Sequence, residues 1–145
     1  MQEKFIGSAI EAARGAVSYR DFLVGCAMLV QRADGKRKIF TGANWKPTKN
    51  GPKLCAERAA WRAALANGFT KLLAVCVSGE PQPDTHSGIV TCTLHPCKGC
   101  RQMLERICGG DTVVLTVRKS SPWVVEKHTL GELLELHNGH RVCRA

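Results

Sequence analysis

At 145 residues and 44% hydrophobic, the chain can build one domain around its own core, which excludes global disorder and dependence on disulfide staples. No apolar run approaches the roughly 18 residues of a membrane-crossing helix, and the opening Met1-Gln2-Glu3-Lys4-Phe5 lacks a leader's basic-then-apolar pattern, so a soluble, cytoplasmic protein is expected. The formal charge of +9, from 21 Lys and Arg against 12 Asp and Glu, attracts anions at long range without establishing nucleic-acid binding.

The first predicted element is an amphipathic helix over 2–17, where Phe5, Ile6, Ala9, Ile10, Ala13, Ala16 and Val17 recur at helical spacing. Apolar runs at 24–31 and 38–44 read as two strands, with Asp34-Gly35 as a hairpin signal between them. Residues 45–53 carry two prolines, a glycine and an asparagine and read as a loop. Residues 54–66 are alanine-rich and free of breakers, which predicts a helix closed by Asn67-Gly68. A buried strand follows at 71–78, then a long loop at 79–88 and an extended segment at 89–94. The remainder reads as a helix over 98–108, closed by Gly109-Gly110, a strand at 112–117, a short strand at 124–127 and a last helix at 130–137. Strands alternating with helices after a hairpin indicate a single α/β layered domain over 1–145 with a mixed sheet.

In a reducing compartment, closely spaced cysteines point to metal binding or catalysis rather than to disulfides. Cys97 and Cys100 form a Cys-x-x-Cys pair behind Pro96. Alone, that pair fits a redox dithiol, half of a structural zinc site, or coincidence in a chain with eight cysteines. Cys55-Ala56-Glu57 sharpens the reading, because both segments fall at predicted helix N-termini. Unsatisfied N–H groups and the positive end of the helix dipole lower a thiol's pKa there and favour the thiolate that zinc requires. Three protein ligands leave zinc a position for water, whereas a structural site closes four. Glu57 stands two residues past Cys55, where a carboxylate can face that water without ligating the metal. Zinc deaminases use this order: a ligand-x-Glu segment, then Pro-Cys-x-x-Cys.

At these residues the chain resembles the cytidine deaminase family. The match is Cys55-Ala56-Glu57-Arg58 followed by Pro96-Cys97-Lys98-Gly99-Cys100-Arg101-Gln102-Met103-Leu104. Phe22-Leu23-Val24-Gly25-Cys26-Ala27 resembles the family's Phe-Pro-Val-Gly-Ala-Ala strand, Thr41-Gly42-Ala43-Asn44 the segment entering the active site, and Gly131-Glu132-Leu133-Leu134 the start of its last helix. The three-cysteine pattern is that of the small, homotetrameric branch. The resemblance implies a three-layer α/β/α fold with a mixed five-stranded sheet, a Zn2+ on Cys55, Cys97 and Cys100, and pyrimidine salvage as the role. It implies that zinc-bound hydroxide attacks carbon 4 of a cytosine-like ring while Glu57 shuttles the proton to ring nitrogen 3 and then to departing ammonia. It further implies that Ala56 holds the pyrimidine carbonyl through its N–H, that Asn44 binds a sugar hydroxyl, and that Phe22 walls the pocket. Arg58 matches a family arginine that hydrogen-bonds the zinc thiolates and offsets their charge, a physically reasonable use of a neighbouring cation.

Three positions depart from the family pattern. Its ribose-binding Asn-x-Glu is Asn44-Trp45-Lys46 here, and an ammonium only donates, so Lys46 cannot accept from a sugar hydroxyl. Blasticidin S deaminases of the same superfamily likewise lack that glutamate. His95 stands where serine is usual, and the tail from His137 to Ala145 lacks the family's closing Leu-Pro-x-x-Phe. The leading expectation is therefore a hydrolase of a cytosine nucleoside or a close, non-standard analogue. A nucleic-acid editing deaminase is the second reading, suggested by charge alone, since the basic residues are scattered rather than gathered in a groove with aromatics. A non-catalytic zinc module is the third, and Glu57 argues against it. Cys26, Cys76, Cys92, Cys108 and Cys143 are expected to pack as small hydrophobes.

Overall fold

The computed structural model describes residues 2–80, 92–93, 96, 98–119, 121–137 and 143–144. In chain order its elements are α1 (Gln2–Ala12), a 3-10 turn (Ala13–Gly15), β1 (Val17–Ser18), β2 (Gly25–Arg32), β3 (Arg37–Ala43), β4 (Trp45–Lys46) and α2 (Ala56–Ala66). There follow β5 (Phe69–Gly79), β6 (Cys92–Thr93), α3 (Lys98–Ile107), β7 (Val113–Arg118), β8 (Ser121–Thr129), α4 (Leu130–His137) and β9 (Cys143–Arg144). Five strands form the central sheet in the order β3-β2-β5-β7-β8. β5 and β7 run parallel, and every other neighbouring pair in the sheet is antiparallel, which makes the sheet mixed, as expected.

Side chains alternate between the two faces of a strand, and this alternation sorts the apolar residues into two cores. Cys26, Met28 and Val30 of β2, Val75 and Val77 of β5 and Val114 of β7 pack with Ala60, Trp61 and Ala64 of α2, Met103 and Leu104 of α3, and Leu130 and Leu133 of α4. The intervening residues Ala27, Cys76, Leu115 and Val117 meet Phe5 and Ala9 of α1 on the opposite face. The result is three layers, with α1 alone on one side and α2, α3 and α4 on the other. A capping box starts α4: the Thr129 hydroxyl accepts the Glu132 N–H at 3.1 Å, and the Glu132 carboxylate accepts the Thr129 N–H at 3.1 Å.

Two glycines set how closely the layers approach. A methyl group on Gly25 would collide with the Ala9 carbonyl and the Ala13 amide, so α1 lies directly on β2. A methyl on Gly42 would collide with the Ala60 amide nitrogen and lie 2.6 Å from the Ala56 carbonyl and 2.7 Å from Ala59 Cβ, so the first turns of α2 lie directly on β3.

Several boundaries differ from expectation, each for a tertiary reason. The first helix stops at Ala12 rather than Val17, because Val17 donates its N–H to the Asn44 carbonyl at 3.0 Å and Tyr19 donates to the Lys46 carbonyl at 2.8 Å. Those bonds pair β1 with β4 in parallel, inside a segment expected to be loop. The second helix begins at Ala56 rather than Leu54, since Leu54 is held in an antiparallel bridge to Trp45. β5 is longer than its apolar run because Phe69 pairs with Arg32 of β2 at one end and Gly79 with Arg118 of β7 at the other. β8 spans Ser121–Thr129 rather than a short stretch, as β7 offers it a full antiparallel edge. Residues 81–88 of the expected long loop, and 89–91 and 94 of the expected extended segment, lie outside the described residues.

Gly42→Ala is expected to destabilise the protein by about 1–3 kcal/mol, the usual cost of forcing one extra methyl into a packed interior. Urea denaturation of variant and wild type reads this out. An unchanged midpoint would show that α2 can lift off β3 without loss.

Candidate active site

The site is built where β3 hands the chain to α2. The Asn44 side chain locks this corner: its carbonyl oxygen accepts the Val24 N–H at 2.8 Å and its amide donates to the Phe22 carbonyl at 2.7 Å. The backbone repeats the tie, with the Asn44 N–H donating to the Val24 carbonyl at 3.1 Å. Two backbone bonds of 2.8 Å between Trp45 and Leu54 then close the excursion over 46–53 and bring the chain back to the same corner. Cys55 follows in extended conformation (φ −75°, ψ 149°) as the N-cap of α2, its carbonyl accepting the Ala59 N–H at 3.0 Å. The cap position thus goes to a thiol rather than to the hydroxyl or carboxamide that usually fills it.

Glu57 sits in the first turn of α2 and is 1% exposed. A buried carboxylate is costly, and the positive end of the helix dipole offsets part of that cost. Burial pushes the neighbouring Cys26 thiol up first, and the Glu57 and Cys76 charges push it further, so Cys26 stays a neutral thiol. Burial likewise raises Cys76 to about 12. Burial also raises Cys108, whose thiol donates to the Leu104 carbonyl at 3.1 Å. These three cysteines behave as packing residues. The side chains of Cys92 and Cys143 lie outside the described residues, although their backbones pair in the small β6–β9 ladder.

A cleft of about 190 Å³ opens above this corner, walled by Phe22, Val24, Asn44, Cys55, Ala56 and Glu57 at its base and by Ser18, Tyr19, Arg20, Trp45, Lys46, Lys53 and Leu54 around the rest. The expected residues Phe22, Asn44, Cys55, Ala56 and Glu57 are therefore brought together. Cys100 lies in the first turn of α3, fully buried. Arg58 reaches that turn, since a methyl group on Gly99 would stand 3.7 Å from Arg58 Nη2. The N-termini of α2 and α3 are thus neighbours. Arg101 braces the approach to α3 by donating to the Pro96 carbonyl at 2.8 Å. Cys97 and His95 lie outside the described residues. No cluster of three metal-binding side chains occurs among the described residues, a set that excludes Cys97.

Residues 1–116 match the family model described as the cytidine and deoxycytidylate deaminase zinc-binding region. The chain belongs to the cytidine deaminase family. It is 31% identical over 134 residues to a cytidine deaminase of Halalkalibacterium halodurans, covering 92% of this chain and 90% of that protein. Among solved structures, the cytidine deaminase of Burkholderia pseudomallei is 30% identical with a TM-score of 0.70, covering 92% of this chain and 95% of that one. The Mycobacterium tuberculosis enzyme is 33% identical with a TM-score of 0.65, covering 92% and 93%. Membership accounts for the three-layer fold and makes the protein a hydrolytic deaminase of a family described as zinc-binding.

Sequence reasoning missed Ser18, Tyr19, Arg20, Lys53 and Leu54 as parts of the wall. Tyr19 and Arg20 carry no local signal, for they reach the cleft only through the β1–β4 pairing. Asn44 also has a second job that its motif does not reveal. Removing its amide strands the Val24 N–H and the Phe22 carbonyl, at about 1–3 kcal/mol for each buried group left unsatisfied. Asn44→Ala is therefore expected to lower the unfolding midpoint as well as activity. Loss of activity at unchanged stability would mean that the amide serves substrate alone.

Proposed function

We propose that this chain hydrolytically deaminates a cytosine nucleoside, cytidine, deoxycytidine or a close analogue, with Zn2+ held by Cys55, Cys97 and Cys100 and with Glu57 moving the protons. The observation that carries this reading is Glu57 itself: a carboxylate 1% exposed, in the wall of a cleft, two residues past a cysteine that caps the same helix. The donor set suits the metal. Cys55 and Cys100 both sit at helix N-termini, where thiolates are favoured, and Arg58 supplies a cation beside them. Bound there, zinc would act as a Lewis acid that brings the pKa of water to about 7.

The chain's own residues do the rest. Glu57 takes a proton from the attacking water as oxygen adds to ring carbon 4. It delivers that proton to ring nitrogen 3, then takes the proton of the new hydroxyl on carbon 4 and passes it to the amine, so that the carbon–nitrogen bond breaks, the carbonyl forms and ammonia leaves. Its burial keeps bulk water from competing for the proton. The Ala56 N–H, at an unsatisfied helix N-terminus, donates to the pyrimidine carbonyl. Phe22 supplies an apolar wall for the ring. Asn44 keeps one N–H and one lone pair after its bonds to Phe22 and Val24, enough to meet a sugar hydroxyl. A non-standard analogue is favoured over plain cytidine by one observation, the presence of Lys46 in the cleft wall.

Purified protein is expected to carry about one zinc per chain and to release ammonia from a cytosine nucleoside. Glu57→Gln should keep zinc and fold while losing about 10²–10⁴-fold in kcat, the usual contribution of a positioned acid–base group. Near wild-type turnover in that variant would remove Glu57 from the mechanism. Full zinc retention in Cys55→Ser, Cys97→Ser and Cys100→Ser alike would remove the ligand assignment.

The family branch supports a homotetramer in solution. The cleft also falls short of the ~300–1,000 Å³ typical of pockets that enclose a whole small molecule, which suits completion by a neighbouring subunit. Light scattering at micromolar concentration should report an oligomer, and a monomer would count against shared pockets.

A further inference from the structure

The cleft is polarised. Its one carboxylate, Glu57, is buried at the base, while Arg20, Lys46 and Lys53 all stand in its wall, Arg20 and Lys53 exposed and Lys46 half-buried. These cations come from separate places in the chain and are gathered by backbone pairing. Tyr19 hydrogen-bonds to the Lys46 carbonyl, which carries the adjoining Arg20 to one side. The Trp45–Leu54 bridge brings Lys46 and Lys53 together, one residue beyond and one residue before its two ends. The bridge thereby sets both lysines in the wall of the same cleft.

Nothing among the described residues neutralises the trio. The ion pairs Arg14–Glu11, Arg32–Asp34 and His128–Glu126 all lie elsewhere, and none of the three cations is in one. Their partners are aromatic: Lys46 Nζ stands 5.6 Å from the Tyr19 ring centroid and Arg20 Cζ 5.5 Å from that of Phe22. Such contacts orient a cation over a ring face without cancelling its charge. A cleft whose wall holds three cations without a carboxylate partner among the described residues, two of them oriented over aromatic rings, together with hydroxyl donors on Ser18 and Tyr19, is built to receive an oxyanion.

We propose that the mouth of the cleft is an anion subsite, in which Lys46, Lys53 and Arg20 bind a phosphate or carboxylate carried by the substrate at the end remote from its reacting ring. This rests on the deaminase reading for which end of the substrate reacts. The substrate class is then an anionic cytosine nucleoside rather than the neutral one. Bound oxyanion gains charge-assisted hydrogen bonds that a neutral hydroxymethyl group does not offer.

The test is calorimetric titration of the zinc-loaded protein with uridine, uridine 5′-monophosphate and the 5′-carboxylate of uridine, all analogues of the deamination product. At low salt the charged ligands are expected to bind about tenfold or more tighter than uridine, as charge-assisted bonds outweigh neutral ones. That advantage should shrink as salt screens the exposed cations. Whichever of phosphate and carboxylate binds tighter names the natural group. The advantage should fall to within about threefold in Lys46→Gln/Lys53→Gln, since the oxyanion loses two of its three cations. Arg20→Gln should lower it independently and serves if the double variant does not fold. The matching kinetic ratio, kcat/KM for cytidine 5′-monophosphate over cytidine, should fall in parallel. Equal binding of uridine and both charged ligands by the wild type, or an advantage that survives both sets of substitutions, would overturn the subsite. Charge-selective binding without ammonia release from either nucleoside would instead overturn the deaminase reading and leave the subsite standing.

Discussion

The rest of the site depends on the direct contact between the first turns of α2 and Gly42 of β3. With no side chain at residue 42, the backbone of α2 can rest on the sheet, and the helix begins at the strand's end rather than a side chain's length away. The consequences follow in order. Cys55 caps the helix, Ala56 lines the cleft, and Glu57 is buried in the first turn beside Cys26. Asn44 holds the other side of the same corner by bridging the Phe22 carbonyl and the Val24 amide. A helix N-terminus pinned this tightly can aim its dipole and its unsatisfied amides at a defined point.

Electrostatics then divides the cleft. At its base a carboxylate is buried in the first turn of a helix beside the neutral Cys26 thiol. At its mouth three cations stand without carboxylate partners among the described residues. Gathering like charges in one cleft wall is the kind of local cost that folded proteins carry at functional positions and offset through packing elsewhere. Here the offset is the two-sided core, in which strand alternation buries one apolar set under α1 and another under the three helices opposite.

Most of the fold was legible because its signals are local. The apolar runs of β2 and β5, the alanine-rich breaker-free run of α2 and the Gly109-Gly110 stop after α3 each specify an element without reference to the rest of the chain. The misjudged boundaries are those set by a partner distant in sequence. Val17 looks helical by composition and lies in a strand because Asn44 offers it an acceptor. Leu54 looks like the start of a helix and is held extended by Trp45.

The sequence by itself placed Cys55, Glu57 and Cys100 at helix N-termini. They are legible because helix start signals and residue spacing are short-range facts, and a thiol or carboxylate at a helix N-terminus has a consequence that hardly depends on what else the chain does. Lys46 was legible only as a departure, a donor where an acceptor is usual. That it belongs to a trio with Lys53 and Arg20, that its ammonium lies over Tyr19, and that the Asn44 amide is already bonded to Phe22 and Val24 were decided by tertiary structure alone. Backbone pairing of β1 with β4 and of Trp45 with Leu54 brings those groups together, and backbone hydrogen bonds carry almost no side-chain signature in the sequence.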